Sequence, residues 1–87
     1  MMKKVKVTNI ENKYLLTLED SNNKIYKKNI EFYDININVG DYIYIDDQVL
    51  AEANIYTYGP IVEEPNVDDL IKIVKDGKDI YLQRYYG

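Results

Sequence analysis

Whatever chemistry this chain performs falls to ten tyrosines, fifteen carboxylates and eleven lysine or arginine side chains. Histidine, cysteine and tryptophan are absent. The commonest general base, the commonest metal ligands and the thiolate nucleophile are therefore all missing. The one serine, Ser21, sits in a run of turn-forming residues and has no triad partner. Carboxylates stand in neighbouring pairs at Asp46 and Asp47, Glu63 and Glu64, and Asp68 and Asp69. Such pairs suit Ca²⁺ or Mg²⁺, but their spacing does not match an EF-hand loop, and adjacent acids more commonly cap helices or face water. Two carboxylates could also perform glycosidase-type chemistry, which needs a deep, dry cleft that a chain this short rarely encloses. Gly40, Gly59, Gly77 and Gly87 are isolated, so no phosphate-cradling loop is present. The expectation is a non-catalytic protein with no metal and no cofactor.

Tyrosine is the unusual feature. It suits a strand and covers a pleated surface well, which is the plain reason for its abundance. The stretch after Val39-Gly40-Asp41, however, alternates strictly, with Tyr42 and Tyr44 on one side and Ile43 and Ile45 on the other. If the isoleucines face the core, the two tyrosines lie outside together. Joined by Tyr56 and Tyr58, they would form an aromatic contact face. The candidate partner-binding residues are Tyr42, Tyr44, Tyr56, Tyr58, Asp46 and Asp47.

Charge is segregated along the chain. The net charge is -4, yet residues 1–31 hold seven lysines against four acids. Residues 29–71 hold ten acids and neither lysine nor arginine. Such asymmetry shapes partners and encounter rates rather than fold. The first functional expectation is a protein-interaction module or a self-associating protein that uses the acidic, tyrosine-rich middle. In one version of it, the acidic surface imitates nucleic acid and blocks a basic groove on a protein partner. The alternative is a binder of single-stranded nucleic acid that stacks bases on tyrosine and draws its basic track from Lys3, Lys4, Lys6, Lys13, Lys24, Lys27 and Lys28. Whether lysines or acids share a face with the exposed tyrosines discriminates the two. No apolar run is long enough for a membrane span, and the opening residues alternate with lysine, unlike a signal peptide. A cytoplasmic protein without membrane contact is expected.

Eighty-seven residues make a single domain, residues 1–87, whose core must stand on packing alone. Alternation predicts strands over residues 3–9, 14–18 and 25–30, with Tyr14, Leu16 and Leu18 on one face of the second. Tyr26, Lys28 and Ile30 share a face of the third. Residues 31–38 read as an irregular connection whose apolar side chains plug one end of the core. A strand over residues 41–46 leads to a short helix of at most two turns, capped by Asp46 or Asp47 and ended near Asn54. Residues 55–58 form a brief extended piece that stops at Gly59 and Pro60.

The clearest local signal is Asp76-Gly77 between two apolar runs, the mark of a two-residue type I′ hairpin. It sets Lys75 opposite Lys78, Ile73 opposite Ile80, Ile71 opposite Leu82 and Asp69 opposite Arg84. Many short strands and one short helix point to an all-β fold, a small curled barrel of five or six strands. Val39-Gly40-Asp41 followed by Tyr-Ile-Tyr-Ile resembles a strand start of OB-like and SH3-like barrels. An OB-like barrel, which accommodates a helix between strands, is expected first. An SH3-like barrel comes second and an α+β roll third.

Overall fold

A computed structural model describes residues 1–63 and 70–85. Its elements are β1 (Met2–Glu11), β2 (Leu15–Asp20), β3 (Ile25–Phe32), β4 (Tyr42–Asp46), α1 (Asp47–Ala51), β5 (Tyr56–Ile61), β6 (Leu70–Lys75) and β7 (Lys78–Arg84). The strands close into a barrel in the order β1-β2-β3-β5-β7-β6-β4. Neighbours are antiparallel except β3 and β5, which run parallel.

The fold is all-β and a small barrel, as expected, but it has seven strands among the described residues rather than five or six. The difference lies in β5. A proline cannot donate to a ladder, so Gly59-Pro60 reads as a strand end. Here β5 runs on to Ile61, with a register shift between Tyr58 and Ile61 that absorbs the irregular pair. It fills the place between β3 and β7 that would otherwise leave two open edges. Gly59 is required there by close approach: a Cβ at that position would lie 2.6 Å from the Tyr33 Cβ.

Alternation decides the interior. Val5, Val7, Leu16, Leu18, Ile30, Ile43, Ile45, Ile71, Ile73 and Leu82 are almost fully buried. Each such side chain contributes about 1.5–3 kcal/mol relative to an exposed position. One end of the barrel is plugged by Ile10, Phe32, Ile35 and Ile37, which agrees in part with the reading of residues 31–38: Tyr33 is exposed, and Glu31 and Phe32 belong to β3. The other end is covered by α1 through Val49 and Leu50. The Asp46 side chain caps α1, accepting the Gln48 backbone N–H at 2.8 Å. The helix stops at Glu52 rather than Asn54. Tyr14 lies outside the core face, because Asn12 and Lys13 take positive φ in the β1–β2 turn and the ladder starts only at Leu15.

The hairpin of β6 and β7 has the expected register throughout its described part, from Lys75 opposite Lys78 to Ile71 opposite Leu82. Ile80 is only half-buried. The pairing of Asp69 with Arg84 lies outside the described residues. Asp76 and Gly77 have φ of 53° and 75°, the left-handed values a type I′ turn demands. A β-branched residue at position 77 is strained there, so Gly77→Val should cost about 1–3 kcal/mol. A urea denaturation series measures this, and an unchanged midpoint would contradict the turn.

Candidate functional site

Because Ile43 and Ile45 are fully buried, Tyr42 and Tyr44 stand on the outer surface of β4. The same alternation on β1 buries Val5 and Val7 and turns Lys4 and Lys6 outward. Antiparallel register sets Lys6 beside Tyr42 and Lys4 beside Tyr44. On the far edge of β4, Tyr42 meets Val74 and Tyr44 meets Lys72. Lys72 in turn faces Tyr81 on β7. Lysine and tyrosine therefore interleave across four adjacent strands.

The amines lie over the rings. The Lys4 Nζ is 4.6 Å from the Tyr42 centroid and 5.8 Å from that of Tyr44. The Lys6 Nζ is 6.0 Å from the Tyr42 ring, and the Lys72 Nζ is 4.1 Å from the Tyr44 ring. Three acids border the patch, the first being Asp46, which follows Tyr44 on the same outward side of β4. Asp79 reaches Lys72 at 3.9 Å, and Glu19 stands opposite Lys6 on β2.

Tyr56 and Tyr58 do not join this face, which corrects the expectation of a four-tyrosine surface. Both are 2 % exposed, inside the barrel. The parallel register with β3 sets them beside Ile30 and Phe32, whose side chains point inward, so β5 turns its tyrosines inward too. Tyr58 stacks on Phe32 at 6.3 Å between centroids. The Tyr56 hydroxyl donates to the Glu52 carboxylate, and the Arg84 guanidinium lies 4.5 Å from its ring. Burial pushes the Tyr56 pKa up, and the bond to Glu52 adds to the shift.

Asp46 and Asp47 also stand apart from the tyrosine–lysine patch in their interactions. Asp46 turns its carboxylate to the start of α1, and both acids lie 3.4 Å from the Met1 ammonium. The Gln48 N–H, followed by that ammonium, holds the Asp46 carboxyl below the ordinary range. Asp41 accepts the Lys75 ammonium at 3.0 Å and the Asn38 N–H at 2.8 Å. The acid-only stretch is thus relieved by bases from elsewhere in the fold. Among the described residues, no group of three or more acids could hold a metal ion, and no helix is long and apolar enough to cross a membrane. Of the paired acids, Glu64, Asp68 and Asp69 lie outside the described residues.

The sequence reading missed a polar cluster at the α1 end of the barrel. The buried Asp20 accepts the backbone N–H groups of Asn22 at 2.8 Å and Lys24 at 3.0 Å. Its second oxygen meets the Tyr26 hydroxyl at 3.4 Å and the Lys3 ammonium at 3.6 Å. An aspartate that opens a turn and binds N–H groups ahead of it was the available signal. Nearby, the buried Lys28 donates to the Glu52 carbonyl just past α1. Its shared face with Tyr26 and Ile30 agrees with the alternation read from the sequence.

The Lys24 N–H, then the Asn22 N–H and Lys3, hold the Asp20 carboxyl below its ordinary pKa. A carboxylate stabilised in this way contributes stability above its unfolded pKa of about 4. That contribution disappears as pH falls through the lower folded value. Asp20→Asn should therefore be less stable than the original at pH 7, with the gap narrowing toward pH 3. Urea midpoints at the two pH values measure it, and a constant gap would contradict the assignment. No family model, curated protein or solved structure matches the chain.

Proposed function

We propose that the outer face of β1, β4 and β6 binds single-stranded nucleic acid. Tyr42 and Tyr44 stack bases, while Lys4, Lys6 and Lys72 hold phosphates. The observation that carries this reading is the interleaving of lysine with outward-facing tyrosine, Tyr42 exposed and Tyr44 half-buried: the fold brings lysines to the aromatic pair where the protein-partner reading requires acids. That other reading also needed Tyr56 and Tyr58 on the surface, and both are buried.

The magnitudes favour displacement of the amines by bases. An exposed cation–π contact contributes about 0.5–1 kcal/mol, so the two on each ring contribute about 1–2 kcal/mol. Base stacking on an aromatic side chain contributes about 1–3 kcal/mol. A base can therefore take the ring, and the ammonium it displaces stays within reach of the adjoining phosphate. Tyr42 and Tyr44 are two residues apart, roughly 6.8 Å along the strand. That separation gives each of two neighbouring bases its own ring in an extended strand.

Strand order supports an OB-like barrel within this reading. With the β6–β7 hairpin set aside, the other strands follow the order β1-β2-β3-β5 and then β4, with β3 and β5 parallel and β4 paired to β1; the hairpin stands between β5 and β4. The usual ligand face of that fold, its second and third strands, carries Thr17, Glu19, Lys27 and Asn29 here and no outward aromatic. The proposed face lies further round the barrel. The function is a non-catalytic, cytoplasmic binding role without a cofactor.

Anisotropy of a labelled ten-nucleotide oligo(dT) strand tests the proposal. Tyr44→Ala should weaken binding by roughly 5- to 150-fold and leave the salt slope unchanged. Lys4→Ala should make the slope of log K against log salt shallower by about 0.7. If Tyr44→Ala binds as tightly as the original, the face is only a solvated surface.

A further inference from the structure

A cavity of about 340 Å³ opens beside Tyr42, between β1 and the β2–β3 turn. Lys4, Lys6 and Tyr42 form its border with the stacking face, and Glu19, Ser21 and Asn23 supply polar groups on the other side. Asp20 also lines it, but its carboxylate is already held by the turn amides and by Lys3 and Tyr26. Glu19 is different. It is half-buried and stands opposite Lys6, and its carboxylate has no hydrogen-bond or ion-pair partner among the described residues.

We propose that this cavity receives the base next to the one stacked on Tyr42, and that Glu19 selects guanine there. The inference rests on the nucleic-acid reading above. In a single strand the Watson–Crick edge of a base is free to be read. Guanine presents two adjacent donors on that edge, N1–H and the N2 amino group, and a carboxylate accepts both at once. Cytosine and adenine each offer only an exocyclic amino group. Thymine offers one N–H between two carbonyl oxygens that repel the carboxylate. The charge that would disfavour a lone carboxylate beside phosphate is balanced by Lys4 and Lys6 at the mouth. Their ammoniums lie 4.6 and 6.0 Å from the Tyr42 ring, close enough to hold the phosphates on either side of the inserted base.

The test compares four ten-nucleotide DNA strands by fluorescence anisotropy at one salt concentration. One is all thymidine; the others carry a single central dG, dA or dC, which avoids guanine self-association. The strand with dG should bind roughly 5- to 150-fold tighter than the one with dA, the range of a bidentate base contact. Glu19→Gln replaces one acceptor oxygen by a donor at the same shape on the outer surface. It should abolish the dG preference, keep at least the oligo(dT) affinity, and unfold at the same temperature as the original. Equal affinity for all four strands, still weakened by Tyr44→Ala, would overturn the guanine pocket and leave the stacking face standing. A dG preference that survives Glu19→Gln would overturn the role of Glu19. No binding to any strand would overturn both proposals.

Discussion

The fold depends on β1 being paired along both edges, to β2 on one side and β4 on the other. That double pairing closes the barrel and locks the side on which every residue of β1 and β4 lies. A strand has a period of two, so a slip of one residue would exchange its faces. Val5, Val7, Ile43 and Ile45 would go out, and Lys4, Lys6, Tyr42 and Tyr44 would go into the core. Burying those amines without partners would cost several kcal/mol each, so the register is strongly selected. The register shift between Val7 and Asn9 lets β1 bend from one neighbour to the other, with Thr8 Oγ1 donating to the Thr17 carbonyl at 3.2 Å. Beyond β4, the Gly40 N–H donates to the Val7 carbonyl at 2.8 Å, carrying the seam one step further.

Polar groups tighten the α1 end of the barrel. A buried lysine needs a charge-assisted partner, and Lys28 finds one in the Glu52 carbonyl. Asp20 is satisfied by two turn amides and two side chains. Among the described residues, no buried side-chain nitrogen or oxygen lacks a hydrogen-bond partner. The consequence for function is geometric. The tyrosine–lysine patch sits on four hydrogen-bonded strands rather than on loops, so its rings are held at a defined spacing before any ligand arrives.

Much of this was legible in residue pattern, and the limits have physical causes. The β6–β7 hairpin could be read with its register, because Asp-Gly between apolar runs admits one tight turn. The inward face of β3, lysine included, followed from alternation alone. Alternation gives the period of a strand but not which side is inside. For residues 41–46 the isoleucines settled that choice. Along β5, Tyr56 and Tyr58 alternate with Thr57, which is neutral, so their burial came from the parallel pairing with β3. Parallel partners are distant in sequence and leave no local turn signal. The strand count was short for the same reason, since β5 is held by β3 and β7 through a Gly-Pro pair that breaks strands elsewhere. The pairing of Lys4 and Lys6 with β4 likewise needed the barrel to close. Charge segregation along the chain gave the opposite impression, an acidic tyrosine surface, because bases near in space are far in sequence.

The most direct test of the central claim is a backbone amide NMR titration with a ten-nucleotide oligo(dT) strand. Binding on the tyrosine–lysine face predicts that the shifts of Lys4, Lys6, Tyr42, Tyr44 and Lys72 move together and saturate at one concentration. The amides of Asp46, Asp47 and α1 should move little. Shifts confined to α1, or none at millimolar oligonucleotide, would contradict it.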